Sequence, residues 1–557
     1  MYNIKFYKLL VTIVFLVTFF ANVSISQVSQ EWINTYNSPT NGPDNPVAMT
    51  VDNSGNVYVT GVSSTSTTGR DIATIKYNSS GVEQWAARYD NGSGDDVKGI
   101  TVDASGNVYI AASIVVNNSG VQATVKYNSS GVEQWVALLG VPVGSPAGPG
   151  NGKSCIATDA SGNVYVGGSR IFGSGQNGSY LLTKYNSNGD SVWTRTYKGS
   201  HFLAGLGSGI VCIKVDGSYI YVTGKSFDQN PDLSASAFAT TIKYDLSGSH
   251  QWMRKDTLVN GSDDLIGMDI DASGNIIVIC DFGFNLITYK YNSSGAMLWK
   301  RIYSGIAGDY YDEVTGLALD ASGNIFLTGN SHRSVGDRDF LTLKYDASGN
   351  LLWERFYNGS GNDGDYSKGI SVDASGNAYI TGLTYETNFN FDYTTIRYDA
   401  DGTQRWKIRY DGGFTNRRDE PVTIETDPDD NVIVTGISSR GVNTDDYATI
   451  KYSQSVGINQ FSTEIPEGYY LSQNYPNPFN PVTNLEFGIS SGEGGSGSVS
   501  LRIYDILGKE VAVLVNSILQ PGEYKFNFNA SGLNSGIYFY RLETGSFTQT
   551  RKMILIK

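Results

Sequence analysis

The chain has 557 residues, 17% of them charged, with 65 glycines, 37 tyrosines and a formal net charge of −14. That balance excludes a nucleic-acid surface, which needs clustered Lys and Arg against phosphate, and the regular alternation of glycine-rich stretches with apolar runs excludes low-complexity disorder. Cys155, Cys212 and Cys280 are odd in number and lack a C-x-x-C pair, so neither a disulfide framework nor a zinc site is predicted.

Taken in chain order, residues 1–26 come first. Lys5 and Lys8 precede the uncharged run Leu9 to Ala21, and small polar residues follow as far as Ser26. The apolar run is short for a bilayer span, so the segment is predicted to be a secretory signal peptide. No later stretch reads as a second span, and the mature form is expected to carry no transmembrane segment.

The next four hundred or so residues are one phrase repeated. All eight tryptophans (Trp32, Trp85, Trp135, Trp193, Trp252, Trp299, Trp353 and Trp406) stand at one point of it. A Val-Asp-Ala-Ser-Gly-Asn-Val-Tyr phrase returns with its Asp at 52, 103, 159, 216, 271, 320, 373 and 427, a spacing of 49 to 57 residues. Units of that period do not bury a core alone and must stack. Within the second copy, apolar runs alternate with Asp103-Ala-Ser-Gly-Asn107 and Asn128-Ser-Ser-Gly131, hairpin turns in which Asx binds backbone amides ahead and Gly takes positive φ. Four strands per unit make a propeller blade.

Eight strands end in Lys/Arg-Tyr, but after the last, at Tyr452, no tryptophan strand follows. Glu31 to Tyr36 supplies one at the other end. The expected fold is therefore all-β: an eight-bladed β-propeller over 27–452 closed by the N-terminal strand, a linker at 453–467, and a small C-terminal β-sandwich over 468–557, the whole a monomer. Four positions before each turn Asp stand Ala48, Gly99, Cys155, Cys212, Gly267, Gly316, Gly369 and Thr423, all small; a crowded inner strand explains them and makes the two cysteines packing residues. The Lys or Arg before each repeat Tyr is expected to pack its stem on a neighbouring blade and reach a turn carboxylate.

Two sets of acids recur where strands meet the variable loops. One is Asp44, Asp95, Asp263, Asp312, Asp365 and Asp419; the other is Asp71, Asp339, Asp392 and Asp446. Strand alternation places both at the mouth of one face as partial carboxylate rings, a donor set suited to calcium. The competing reading is Asx capping of loop amides. Both sets lapse in the third and fourth copies, where Ile171, Phe172, Phe202 and Phe227 replace acids, and this sector is the expected contact for a protein or glycan partner. His201, His250 and His332 share no spacing, so no catalytic set is predicted.

Phrases such as Val-Asp-Ala-Ser-Gly-Asn-Val-Tyr-Ile and Ala-Thr-Val-Lys-Tyr-Asn-Ser-Ser-Gly resemble the bacterial β-propeller repeats of secreted proteins, a family likeness that brings no catalytic motif. The Asn turn with its tryptophan also resembles scaffold turns of sialidases and quinoprotein dehydrogenases. At the C-terminus, Gln473-Asn-Tyr-Pro-Asn-Pro-Phe-Asn-Pro481, Ile503 to Val511, Ser535 to Arg541 and Lys552 to Lys557 resemble the type A C-terminal sorting domain of the type IX secretion system. The resemblance assigns the sorting signal to Tyr475, Pro476, Asn477, Pro478, Gly536, Lys552 and Lys557. It implies export through the type IX machinery to the outer cell surface or medium. The expected function is binding or display there; the alternative is a glycan hydrolase or lyase on the acidic face.

Overall fold

A computed structural model of the protein describes residues 27–557 apart from 66–68, 93, 118, 140–154, 172–177, 200–207, 231–234, 259–264, 283–284, 306–311, 335–336, 360, 362–363, 387–389, 414–416, 442–443, 456–457, 463, 491–496, 520, 531–532 and 546. The signal-peptide segment thus lies outside the described residues. The chain divides into two units, which meet in sequence at Gln454 and Ser455.

The first unit is a series of four-stranded sheets. Asp44–Val51, Val57–Thr65, Gly69–Tyr77 and Glu83–Tyr89 pair in that order, each antiparallel to the next. Six further sheets repeat the pattern down the chain. The last, formed by Asp419–Thr426, Val432–Ser439 and Asp445–Ser455, takes its fourth strand from Gln27–Tyr36 at the chain's head. Apolar side chains of neighbouring sheets pack against one another, so the core lies between sheets. One cluster joins Ala48, Tyr58 and Ile72 of the first sheet to Ile100, Ile110 and Val125 of the second. Another joins Val57, Ile75 and Tyr77 of the first to Ile433 and Tyr447 of the last.

Local chemistry accounts for the turns. Asp103 accepts from the amides of Ser105 (2.9 Å) and Asn107 (3.0 Å) through one oxygen, and from Asn107 Nδ2 (2.8 Å) and Tyr109 Oη (2.9 Å) through the other. Burial raises the pKa of this carboxyl, but those four donors outweigh burial and hold it below the usual carboxylate range. Gly131 closes the second turn at φ 79°, and a Cβ there would sit 2.5 Å from the Trp85 ring. Only glycine meets both demands.

That contact is the rule joining consecutive sheets. At seven seams among the described residues, one turn carbonyl accepts both a lysine ammonium (2.9–3.4 Å) and a tryptophan indole N–H (3.0–3.3 Å) from the preceding sheet, as Ser129 does from Lys76 and Trp85. Ser79 of the first sheet receives Lys451 and Trp32 in the same way. Lysine thus reaches a carbonyl at every one of these seams; among the described residues it also reaches a turn carboxylate at Asp271 and Asp427, and stands 4.0 Å from Asp320. Trp406 is the exception. The sheet after it borrows its fourth strand and has no Asn turn, and Trp406 Nε1 is buried without a hydrogen-bond partner.

The small position before the Asp turn follows a β-bulge in seven of the eight sheets, as between Val97 and Gly99 or Ile210 and Cys212; the exception is Cys155, which precedes its strand. A Cβ on Gly99 would lie 3.3 Å from Cys155 Sγ, and one on Gly316 3.0 Å from Ile370, so crowding by the next sheet does select small residues there. At Gly267 nothing lies within 4 Å, and crowding does not explain it.

The second unit packs two four-stranded sheets on one core of Leu471, Phe479, Phe487, Leu501, Tyr540 and Leu555. One sheet holds Ile458–Ser462, Gly522–Asn529, Val482–Ile489 and Tyr470–Leu471; the other holds Glu510–Leu519, Gly497–Tyr504, Gly536–Thr544 and Phe547–Leu555. Ile458–Ser462 falls within the stretch read as a linker, yet pairs with Gly522–Asn529.

Candidate functional site

The recurring acids are buried. Asp44, Asp95, Asp312, Asp365 and Asp419 are each at most 1% exposed, while Asp263 lies outside the described residues. Four of them bind the loop just before their own strand: Asp44 accepts from Ser38 N (2.6 Å), Asp312 from Gly305 N (2.6 Å), Asp419 from Gly412 N (2.7 Å) and Asp365 from Gly359 N. This is the capping geometry. The second set lies alongside: Asp95 N donates to Arg70 O (2.8 Å) and Asp365 N to Arg338 O (2.6 Å), which places Asp71 and Asp339 next to them across the seam. Arginines neutralise three of that set, Arg88 on Asp71 (2.6 Å), Arg440 on Asp446 (3.0 Å) and Arg409 on Asp392. The acids therefore form pairs between sheets.

One group among the described residues, Asp392, Asp411 and Asp419, brings three carboxylate oxygens within 4.8 Å of one another, close enough to hold a hard cation beside Arg409. Sequence reasoning missed Asp411. Its signal is the acid directly after the last strand's tyrosine, which recurs as Asp90 after Tyr89.

Asp95 differs from its counterparts. Only five residues separate it from Tyr89, against seven between Tyr36 and Asp44, and neither of its oxygens has a hydrogen-bond partner. Burial first, then the charges of Asp71 and Asp90, push its carboxyl up to about 7. Burial, opposed by Arg440 and assisted by Asp44, pushes Asp446 to about 6. A carboxyl raised on folding stabilises the fold in its neutral form, fully below its unfolded value near 4 and less as the pH climbs to the folded value. The melting temperature is therefore expected to fall by about 2–4 °C between about pH 5 and pH 8, and Asp95→Asn to flatten the slope. Asp52, Asp103, Asp159 and Asp271, held by hydrogen bonds in their turns, titrate below the ordinary carboxylate value and stay outside that window. Calorimetry at the two pH values checks it, and an unchanged slope in the variant rejects it.

Of the residues expected to meet a partner, Phe172 and Phe202 lie outside the described residues. Ile171 ends the strand Val164–Ile171, paired with Gly178. Phe227 is 5% exposed and packs with Cys212, Leu258 and Met268, so its ring belongs to the core.

The sorting residues converge where the segment 473–479 joins the two sheets of the sandwich. Tyr475 exchanges backbone hydrogen bonds with Asn484 (2.9 and 3.0 Å) while its side chain is 80% exposed. Pro476 O accepts from Thr483 Oγ1 (2.8 Å) and Asn474 Nδ2 (3.0 Å). Asn477 Oδ1 accepts from Ile554 N (3.0 Å), and just past Pro478 the Phe479 amide donates to Ile554 O (2.9 Å), which ties the proline segment to the last strand. Lys552 O accepts from Gln473 (2.7 Å), Lys557 N donates to Ser535 Oγ (2.9 Å), and Gly536 pairs with Leu555. Motifs up to about eighty residues apart thus form one structure.

Among solved structures, the chain is similar to virginiamycin B lyase from Staphylococcus aureus (10% identity, TM-score 0.35, covering 76% of this chain and 99% of that one) and to a protein from Lactobacillus plantarum (12%, 0.38, 66% and 98%). A protein of unknown function from Bacteroides caccae is similar as well (10%, 0.30, 66% and 97%). None of the curated proteins matches this chain. Residues 473–557 match the family model described as a secretion system C-terminal sorting domain. With its motifs assembled where the two sheets of the sandwich are joined, this C-terminal unit is a type IX sorting domain, and it addresses the chain to the cell surface or the medium.

Proposed function

We propose that residues 27–452 form a closed eight-bladed propeller which the sorting domain carries outside the cell, where it binds or displays a ligand. Closure is supported by the sheet that the chain's head shares with its last repeat, and by Trp32 and Lys451 meeting at Ser79 O. The observation that carries the functional reading is the sorting domain itself, joined to a rigid scaffold with no assembled catalytic set among the described residues. Deleting residues 468–557 is expected to leave the protein in the periplasm, while the intact chain reaches the surface or medium. Equal surface labelling of both forms would reject the reading, and product release from a polysaccharide panel would favour a carbohydrate-active enzyme.

A further inference from the structure

In five sheets the turn Asp is met by a tyrosine at the start of the strand that follows, six residues on in four of them and five in the Asp216 turn, which is one residue shorter. Tyr58, Tyr109, Tyr165, Tyr221 and Tyr379 donate to Asp52, Asp103, Asp159, Asp216 and Asp373 at 2.5–2.9 Å. The phenol also reaches across the seam: Tyr58 Oη lies 3.8 Å from where a Cβ on Gly106, in the next sheet's turn, would stand. Three sheets break this rule, with Ile277, Phe326 and Ile433.

Where the tyrosine is lost, lysine takes its place at the carboxylate. Lys290 sits 2.9 Å from Asp271 and Lys451 3.0 Å from Asp427, whereas in the Phe326 sheet the ammonium stays over the ring (4.6 Å) and 4.0 Å from Asp320. Two of the three gaps are then filled, one by the Phe326 ring and one by Glu31, 3.3 Å from Lys451. The third is open. Between the fifth and sixth sheets a cleft of about 390 Å³ runs among Asp271, Asn275, Lys290, Trp299 and Ser322, and Leu298, 51% exposed, lines it too. Gly323, the counterpart of Gly106, lines it as well, so the cleft lies at the place where the Tyr58 phenol stands at the first seam.

We infer that this cleft, on the turn face of the scaffold, binds a single sugar unit of a glycan. Its volume is that of a small-ligand site. The Asp271–Lys290 pair is rigidly held, since Asp271 also accepts from Ser273 N (3.0 Å), Asn275 N (2.9 Å) and Asn275 Nδ2 (2.9 Å), and Lys290 donates to Ala347 O (3.1 Å). Over that pair the exposed hydroxyls of Ser273, Ser322 and Ser348 and the Asn275 amide line the cleft, donors and acceptors that match those of a polyol. Trp299 and Leu298 offer apolar surface to its C–H face. A purely apolar ligand would leave those hydroxyls and the amide unserved, and a nucleic acid is opposed by the chain's net charge of −14.

The inference extends the binding role proposed above, but it is tested without reference to export, so either can fail alone. Saturation-transfer NMR of the full mature chain with the methyl glycosides of glucose, galactose, mannose and N-acetylglucosamine is expected to show binding of at least one. Ile277→Tyr restores the residue that five sister sheets carry and should fill the cleft, weakening that binding by about tenfold or more while the unfolding midpoint holds or rises. Should that variant unfold, Ser322→Phe blocks the rim instead and must weaken binding to the same extent. No binding by any of the four glycosides, or binding unchanged in the folded variant, overturns the inference.

Discussion

Removing Gln27–Tyr36 from the mature chain is expected to lower the unfolding midpoint of the repeat unit sharply and to produce higher oligomers. The strand supplies the last neighbour of Asp445–Ser455, and without it the ladder groups of that strand become an open edge. Trp32 would leave the Gly81 turn, where a Cβ would lie 2.6 Å from its ring, and Tyr36 would uncover Tyr447, now 5.3 Å away and 1% exposed. Losing a packed tryptophan alone costs about 3–5 kcal/mol. The hydrogen bonds of Asn34 to Gly81 O (2.6 Å) and of Lys451 to Glu31 (3.3 Å) go with it. Urea titration followed by tryptophan fluorescence reads this unit alone, because every tryptophan lies between positions 32 and 406. Chromatography reads the oligomers. A truncated chain with an unchanged midpoint and a single monomer peak would show that the head strand does not complete the last sheet.

Asn474→Ala is expected to destabilise the sorting domain by about 2–4 kcal/mol and to cut export, with the tryptophan transition unmoved. The side chain is 2% exposed and spans the proline segment, donating to Pro476 O (3.0 Å) and Thr483 Oγ1 (3.0 Å) and accepting from Gln473 (2.7 Å). Its amide also donates to Tyr540 Oη (2.7 Å), which in turn donates to Ser472 O (2.7 Å), so the loop hangs on the core of the opposite sheet. Alanine removes three side-chain hydrogen bonds at once from a buried position. Tyr475→Ser, by contrast, changes an exposed side chain and should leave stability within about 0.5 kcal/mol. Limited proteolysis of the full chain compares the two, and equal resistance would refute the role given to Asn474.

Several features are legible in the residues themselves because their causes are local. The Asp and Asn turns, their glycines and the four-strand unit follow from Asx capping and positive φ within five residues. The missing tryptophan after Tyr452 points to the head of the chain, and the strand Gln27–Tyr36 does pair there. Strands Val482–Ile489 and Ile458–Ser462 are not legible in this way, the first hidden behind the prolines that precede it and the second inside a polar stretch whose only cue is Ile458 and Phe461.

The acids lie beyond the reach of local rules. Strand alternation places Asp44 or Asp419 near a mouth, but whether a carboxylate there faces solvent or a loop amide depends on the length and path of the preceding loop. Asp95 is uncapped because its loop is two residues shorter, a fact visible in the chain but meaningless until the capped copies are seen. The cleft beside Asp271 is of the same kind. Ile277 is one conservative-looking change in a repeat, and only the packing of two sheets turns it into a space.

From its residues alone this chain determined its period, its turns, its all-β character and its C-terminal sorting motifs, since each depends on neighbours in sequence. Tertiary structure decided which acids are caps, which seam stays open and how motifs near 475 and 555 meet, because those outcomes depend on groups that folding brings together across sheets.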